Sequence, residues 1–472
     1  MKNTQFDSPT VVIIFGVTGD LSRKKLLPSL FDMFRRGYLP TVFRVVGFSR
    51  QSYSDENFQA FVRDALREKK SVYQPDELAS FLKIFSYQQG TFEDALAYTQ
   101  LSQTLSTIDG CVGQCTSKLF YLAVPPTFYE VIFHNLAQSG LTIPCDQNLG
   151  WTRVLVEKPF GKDLKTAQDL DILLGKLFQE RQIFRIDHYL AKETIQNILT
   201  FRFSNIIFEP IWNREWIEKV DIKLWEDIDV STRGAFYDDV GALRDVGQNH
   251  MLQMLALIAM EHPGELRADA IRAKRADVMK QLMSGDISQN VVRGQYEGFT
   301  DTIGVKKDSD TETYFRLKTF IDNDRWQGVP FYLESGKALK EKKVEIIVTF
   351  KPIHPCFCPL PHASHTHQNT LTFTIQPEEK ITVRFFTRQQ GIRSNVVEQD
   401  LSFDYAKIEE QRVQTDAYEK VLFDCIVGDQ TLFASTEELR ASWSFITPLL
   451  EEWHTLALEV YPRGSLGPEK TL

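Results

Sequence analysis

Short apolar runs alternate with helix-like patterns over the first 190 residues. The run Val11–Phe15 is apolar at every position, which is typical of a parallel strand covered on both faces. Apolar residues then recur at helical spacing over Leu26–Phe34, a second strand is predicted at Val42–Phe48, and Ser54 has the position of a helix N-cap. Further strands are predicted at Lys118–Val124, Arg153–Val156 and Gln182–Ile186, and further helices after Pro126 and over Leu164–Leu177. The alternation predicts a Rossmann-like α/β domain over residues 1–190, a doubly wound parallel sheet with helices on both faces.

The pattern changes after residue 190. Apolar residues occupy every second position in Val344–Phe350, Leu371–Ile375 and Ile381–Phe385, which is typical of an antiparallel sheet with one buried face. Helices are predicted around residues 239–261, 414–427 and 436–456. Residues 191–472 are therefore expected to form a larger α+β domain with a mostly antiparallel sheet.

The chain is mildly acidic, with a net charge of −9 from 54 basic and 63 acidic residues. Such a chain has no general means of neutralising nucleic-acid phosphates, so we expect no nucleic-acid partner, although a local basic cluster can still bind a small anion. No run approaches the roughly 18 apolar residues of a membrane span, and Met1–Thr10 lacks a signal-peptide pattern. The six cysteines are sparse for 472 residues. We expect a cytoplasmic enzyme with reduced thiols and no membrane partner.

A glycine-bearing turn follows the first strand. Gly16 and Gly19 lie directly before the first helix, where glycines let backbone N–H groups approach a pyrophosphate. The turn lacks the complete Gly-x-Gly-x-x-Gly pattern, and an ordinary strand–helix turn is the alternative interpretation. A phosphate-hydrolase loop is disfavoured because no Gly-Lys-Ser or Gly-Lys-Thr follows at the required spacing.

Arg50 follows the second predicted strand. In dinucleotide-binding folds an acidic residue near this point binds the ribose 2′-hydroxyl, whereas an arginine accommodates a 2′-phosphate. No aspartate or glutamate occurs from Val42 through Tyr53. The pattern favours NADP over NAD, with an ordinary surface arginine as the alternative.

Seven segments, spread over nearly the whole chain, resemble the glucose-6-phosphate dehydrogenase family in their residues and in their order. Glu-Lys-Pro-Phe-Gly at Glu157–Gly161 and Arg-Ile-Asp-His-Tyr-Leu-Ala-Lys-Glu at Arg185–Glu193 are the most specific. The others are Gly16–Leu26, Tyr121–Pro126, Arg244–His250, Gly336–Leu339 and the tail Tyr461–Pro468. The resemblance implies oxidation of glucose 6-phosphate at C1 to 6-phosphoglucono-1,5-lactone with hydride transfer to NADP+, the first step of the oxidative pentose phosphate pathway. It also implies a homodimer or homotetramer.

The resemblance further implies a role for individual residues. His250 would be the general base that removes the C1 hydroxyl proton, and Asp187 would orient and support its imidazole. Substrate binding is implied for Lys158, His188, Tyr189, Lys192, Glu226, Asp245, Lys337 and Lys342, with His188, Tyr189 and Lys192 on the phosphate. Coenzyme binding is implied for Gly16, Thr18, Gly19, Asp20, Leu21, Lys25, Arg50, Tyr129 and Lys158.

These residue types suit the chemistry, but each has an ordinary alternative. An imidazole near neutrality is a suitable base, and a carboxylate beside it supports the imidazolium that forms. Taken alone, however, His250 reads as a core histidine, and Lys337 and Lys342 as a solvated face. Asp245 lies five positions before His250, about 140° around an α-helix, so the two need not share a face.

Two functional alternatives stay open at the level of the sequence. One is a dehydrogenase of broader range that oxidises free glucose or other sugar phosphates, or that uses NAD. The other is a catalytically silent protein that binds NADP or a sugar phosphate.

Two further segments bear on additional ligands. Some family members bind a structural NADP with basic residues near Gly336–Leu339, but here Glu334 gives the wrong charge for a 2′-phosphate, so we expect none. The histidines and cysteines of His354–His367 could be interpreted as a zinc cluster. Cys-x-Cys is tighter than the usual zinc spacing, and we expect a loop and no metal site.

Overall fold

A computed structural model describes residues 8–69, 73–145, 150–352, 367–389, 396–408, 416–470 and 472. The N-terminal part of the chain forms a parallel sheet with its connecting helices. The strands are β1 (Thr10–Phe15), β2 (Phe43–Ser49), β3 (Phe85–Gln89), β4 (Ser117–Leu122), β5 (Thr152–Val156) and β6 (Ile183–Ile186). The helices are α1 (Leu27–Arg35), α2 (Asp55–Glu68), α3 (Pro75–Leu82), α4 (Ala95–Val112), α5 (Tyr129–Gln138) and α6 (Leu164–Leu177).

The order of this sheet is β6-β5-β4-β1-β2-β3, with all of these pairs parallel. Every residue of β1, β4, β5 and β6 is buried, as expected for strands covered on both faces. The strand order reverses between β1 and β4, which opens a crevice at their carboxyl ends where such folds bind ligands. The Ser54 side chain accepts a hydrogen bond from Asn57 N at 3.3 Å, which confirms the predicted N-cap of α2.

The second part of the chain contains the strands of a larger mixed sheet and one strand that joins the first sheet. Its strands are β7 (Ile217–Trp225), β8 (Leu282–Met283), β9 (Val291–Tyr296), β10 (Tyr314–Ile321), β11 (Phe331–Gly336), β12 (Lys343–Phe350), β13 (Thr370–Gln376), β14 (Lys380–Arg388), β15 (Val396–Asp404), β16 (Phe433–Ala434) and β17 (Leu458–Tyr461). Its helices are α7 (Glu193–Phe203), α8 (Gly234–Asp238), α9 (Leu252–Ala259), α10 (Ala268–Lys280), α11 (Ile287–Asn290), α12 (Tyr405–Ile408), α13 (Ala417–Val427) and α14 (Thr436–Glu452). A π-helical segment, Leu243–Met251, runs without a break into α9.

The large sheet has the order β15-β14-β13-β12-β7-β11-β10-β9-β17, and β8 pairs with β10. Its pairs are antiparallel except β7 with β11 and β9 with β17. The burial of β12 and β13 alternates, because one face of the sheet packs on the core. The predicted fold class, a Rossmann-like domain plus a larger α+β domain with a mostly antiparallel sheet, is confirmed. One strand from the second part of the chain belongs to the first sheet: β16 pairs antiparallel with β6 and extends that sheet at its edge.

The cysteines depart from the sequence prediction. Cys115 and Cys145, on the loops that precede the adjacent strands β4 and β5, have Cα atoms 6.1 Å apart and form a disulfide. The expectation of reduced thiols is wrong for this pair, because a low cysteine count does not show which cysteines the sheet brings together. Cys111 and Cys425 are free thiols. Residues 353–366, which hold most of the zinc candidate His354–His367, lie outside the described residues.

No helix in the described part of the chain combines the length and the apolar composition that a membrane crossing requires.

Candidate active site

A buried carboxylate–imidazole pair lies where the two parts of the chain meet. Asp187 directly follows the carboxyl end of β6, and His250 lies in the π-helical segment Leu243–Met251. Asp187 Oδ1 is 2.5 Å from His250 Nδ1, with the two side chains only 4% and 1% exposed. Oδ1 also accepts a hydrogen bond from Tyr189 N at 3.0 Å, which fixes the orientation of the carboxylate.

The other imidazole nitrogen faces the ammonium group of Lys158, with His250 Nε2 2.9 Å from Lys158 Nζ. An ammonium group can only donate, so Nε2 carries the lone pair and Nδ1–H donates to Asp187. Burial lowers the pKa of His250 below its ordinary value of 6.5, and the charge of Lys158 lowers it further, against the opposing effect of Asp187. The result is a neutral imidazole whose unprotonated Nε2 faces Lys158 and can take up a proton, as a general base requires.

Asp245 connects this pair to a second lysine. Lys158 Nζ donates to Asp245 O at 2.9 Å, and the Asp245 carboxylate lies 3.7 Å from Lys158 and 3.6 Å from Lys337. Lys337 Nζ also donates to the Glu226 carboxylate. Burial raises the pKa of Asp245, but the two lysines outweigh it and the pKa is lowered, so the carboxylate stays charged. The predicted 140° between Asp245 and His250 is wrong, because the segment is π-helical: residues five apart are hydrogen-bond partners in a π-helix and lie on the same face.

Basic and aromatic side chains form an anion-binding corner beside the imidazole. Lys192 Nζ lies 4.2 Å from the centre of the Tyr189 ring, which is itself 4.2 Å from the His250 ring, and His188 is 4.9 Å from His250. Burial, together with the nearby charge of Lys342, lowers the pKa of Lys192 to about 8. Burial and the neighbouring His250 lower the pKa of His188 to about 3. An anion bound here would relieve the repulsion between the two lysines, so the corner suits a phosphate group.

The glycine turn lies at the crevice between β1 and β4. Gly16 has φ +78°, and a Cβ atom there would lie 2.5 Å from Ala123 O. Gly19 N donates to Gly16 O at 2.9 Å and closes the turn, and the helix then begins at Asp20. Thr18 Oγ1 is 2.8 Å from Ser49 Oγ at the end of β2. Only glycine fits at position 16, and the turn presents its backbone to the crevice.

The remaining coenzyme candidates have different surroundings. Arg50 is exposed directly after β2, and Leu21 is partly buried. Asp20 is exposed and pairs with Lys24 at 2.9 Å, while Lys25 pairs with Asp416 at 3.1 Å. The buried Tyr129 hydroxyl donates to Glu157 O at 2.8 Å. The structure therefore places Gly16, Thr18 and Gly19 in the turn at the crevice, Asp20 and Leu21 at the start of the helix that follows, and Arg50 directly after β2, whereas the polar groups of Lys25 and Tyr129 contact Asp416 and Glu157.

Matches to known proteins cover nearly the whole chain. The family model described as "Glucose-6-phosphate dehydrogenase, NAD binding domain" matches residues 13–197, and "Glucose-6-phosphate dehydrogenase, C-terminal domain" matches residues 199–472. The glucose-6-phosphate 1-dehydrogenase of Chlamydia pneumoniae is 38% identical, with 98% of this chain and 93% of that protein covered.

The chain belongs to the glucose-6-phosphate dehydrogenase family. The Borreliella burgdorferi member is 38% identical over 97% of this chain and 95% of its own length. A family structure solved in complex with its substrate glucose-6-phosphate superposes with a TM-score of 0.91 at 33% identity, covering 98% of this chain and 96% of that one. The Mycobacterium avium structure has a TM-score of 0.83 at 34% identity, with the same coverage.

A buried carboxylate that the sequence did not predict, Glu157, begins the family motif Glu157–Gly161. Glu157 Oε1 accepts a hydrogen bond from Tyr121 OH at 2.7 Å, and Tyr418 bonds the same carboxyl group. Burial raises the pKa of Glu157 to about 7, against the lowering effect of these bonds and of Lys158. The position of Glu157 directly before Lys158 in the family motif could have marked it as a residue of the site. Tyr418 carried no such signal, because α13 reaches the site only through the folding of the whole chain.

Proposed function

We propose that this chain oxidises glucose 6-phosphate at C1 to 6-phosphoglucono-1,5-lactone and transfers the hydride to NADP+. The observation that carries the proposal is the position of His250 Nε2. This buried basic nitrogen is oriented by Asp187 and lies 2.9 Å from Lys158 Nζ, and its ring packs 4.2 Å from Tyr189 in the anion-binding corner. Membership of the family, and its substrate-bound structure at 33% identity, support the same sugar phosphate.

His250 Nε2 takes the proton of the C1 hydroxyl as the C1 oxygen becomes a carbonyl. Asp187, already bonded to Nδ1, stabilises the imidazolium that forms, as in other carboxylate–histidine pairs. Lys158 gives up its hydrogen bond to Nε2 when the hydroxyl arrives and keeps the one to Asp245 O. NADP+ supplies the hydride acceptor when bound, and the Gly16 turn, which a Cβ would obstruct, fits its pyrophosphate.

The sugar is held at both ends. His188, Tyr189 and Lys192 bind the phosphate, and Glu226, Asp245, Lys337 and Lys342 complete the sugar pocket. Binding energy from the phosphate, which does not react, orients C1 against the base. On this account a sugar without a phosphate loses turnover as well as affinity.

The proposal is tested by measuring initial rates with four combinations of substrates: glucose 6-phosphate or glucose as the sugar, and NADP+ or NAD+ as the coenzyme. We expect kcat/KM to be highest for glucose 6-phosphate with NADP+. Equal values for glucose and glucose 6-phosphate would indicate a broader sugar dehydrogenase, and binding without turnover would indicate a silent regulator.

Replacing Lys192 tests whether the anion-binding corner holds the substrate phosphate. We expect Lys192→Gln to lower kcat/KM for glucose 6-phosphate about 10- to 100-fold, mostly through KM, because a charge-assisted bond to a dianion is lost. The low activity with glucose should change little. Lys176→Gln, on the exposed surface of α6, is the matched control. A similar loss with both sugars would contradict the assignment of Lys192 to the phosphate.

Arg50 determines the coenzyme preference in this proposal. We expect Arg50→Ala to raise KM for NADP+ about tenfold and to leave KM for NAD+ unchanged, because only NADP+ has the 2′-phosphate that the guanidinium binds. Arg44→Ala, exposed on the same strand β2, is the control. An equal change with both coenzymes would assign Arg50 to the shared part of the dinucleotide or to the fold.

We also propose that the chain acts in the cytoplasm as a homodimer or homotetramer, with functional domains of residues 1–190 and 191–472. The edge strand β15 supports an interface on the large sheet, because Leu401 and Phe403 are 64% and 48% exposed there. Light scattering during gel filtration measures the oligomeric state directly, and a monomer at assay concentration would contradict this part.

A further inference from the structure

The C-terminal tail crosses the loop that carries Lys337. The last strand, β17, pairs parallel with β9, and its final residue Tyr461 is fully buried. Residues 462–468 then pass over the loop that follows β11. Arg463 Nη1 fixes this crossing by donating to Asp229 Oδ2 at 2.6 Å.

Tyr461 reaches the loop through its hydroxyl group. The hydroxyl donates to Lys337 O at 2.8 Å and is 3.0 Å from Thr313 Oγ1. Lys337 N in turn donates to Thr313 O at 3.0 Å. The backbone of Lys337 is therefore held on both sides, while its ammonium group contacts Glu226 and Asp245 in the active site.

The tail also holds the next residues of the loop by backbone hydrogen bonds. Gly464 N donates to Ala338 O at 2.8 Å, and Lys340 N donates to Ser465 O at 2.8 Å. Ala338 has φ +51°, a conformation that an alanine adopts only when its surroundings hold it there. The tail supplies part of that restraint.

We infer that the segment Tyr461–Ser465, here named the C-terminal strap, is a positioning element for the sugar-binding lysine Lys337. The strap contacts no reacting group; it fixes the backbone from which Lys337 extends. The inference rests on the proposed function, since it gives the strap a role in sugar binding and none in proton or hydride transfer. Loosening the strap should therefore weaken substrate binding and leave the base and the coenzyme turn intact.

The test is the steady-state kinetics of Tyr461→Phe. We expect KM for glucose 6-phosphate to rise about three- to tenfold, the usual effect of losing one buried hydrogen bond, with kcat within about twofold and KM for NADP+ unchanged. Tyr314→Phe is the matched control: its ring packs 5.7 Å from Tyr461, but its buried hydroxyl donates to Glu334 Oε1 on β11 at 3.0 Å and not to the backbone of Lys337. This control should keep the wild-type KM at a similar loss of melting temperature.

A second pair of variants decides the question if Tyr461→Phe does not fold. Gly464 and Gly113 have φ +75° and +77°, and a Cβ atom at either position would meet no atom within 4 Å. Gly464→Ala should raise KM for glucose 6-phosphate, whereas Gly113→Ala should not, although alanine disfavours both conformations equally. Equal KM values in each pair would overturn the strap and leave the function standing. An inactive wild-type chain would overturn the function itself.

Discussion

His250→Asn lowers kcat for glucose 6-phosphate oxidation by about 10²–10⁴, the usual contribution of a general base. Asparagine has nearly the size of histidine but no nitrogen that can accept a proton at neutral pH. The C1 hydroxyl proton then has only water as an acceptor in a site where the imidazole is 1% exposed. Initial-rate assays with NADP+ measure the loss.

The control separates catalysis from folding and binding. The variant should bind glucose 6-phosphate with nearly wild-type affinity in calorimetry, because the phosphate contacts remain. His134→Asn, exposed on α5, should have wild-type kinetics. A His250→Asn protein with more than about a tenth of the wild-type kcat would show that the base lies elsewhere.

Asp187→Asn gives the second large effect, a fall in kcat of about 10²–10⁴. Asp187 Oδ1 accepts hydrogen bonds from both Tyr189 N and His250 Nδ1, so an asparagine oxygen can take the same place and keep the imidazole oriented. What is lost is the charge that stabilises the buried imidazolium. Breaking a buried ion pair costs about 3–5 kcal/mol, which corresponds to this fall in rate.

The pH dependence of Asp187→Asn checks the cause. The negative charge of Asp187 raises the pKa of His250, so its removal lowers that pKa further. The acid limb of kcat/KM, where the imidazole becomes protonated, should move to lower pH while the plateau falls. A wild-type plateau, or a shift of the limb to higher pH, would contradict an electrostatic role for Asp187.

The sequence predicted the strands whose burial follows a simple rule. β1 is buried throughout, and β12 and β13 alternate, so their apolar patterns show directly. The two-residue strand β16 has no pattern of its own and exists because β6 offers an edge to pair with. The helix around residues 239–261 was predicted, but its π-helical part was not, because apolar spacing does not reveal a locally widened turn.

The residues of the candidate active site likewise include some that could be predicted from the sequence and others that could not. From the residues alone His250 reads as a core histidine, and only the family resemblance placed it beside Asp187. The contact of Lys158 with His250 Nε2 and the bonds of Glu157 to Tyr121 and Tyr418 join distant parts of the chain. Such contacts depend on tertiary packing and leave no mark in local sequence.

Glucose 6-phosphate labelled with deuterium at C1 tests most directly whether the chain oxidises the sugar at that carbon. With the purified chain and NADP+, the label should appear in the reduced coenzyme, and turnover of saturating substrate should slow if hydride transfer limits the rate. Mass spectrometry of the coenzyme measures its deuterium content. Deuterium found in water or retained in the sugar product, with unlabelled NADPH formed, would contradict oxidation at C1.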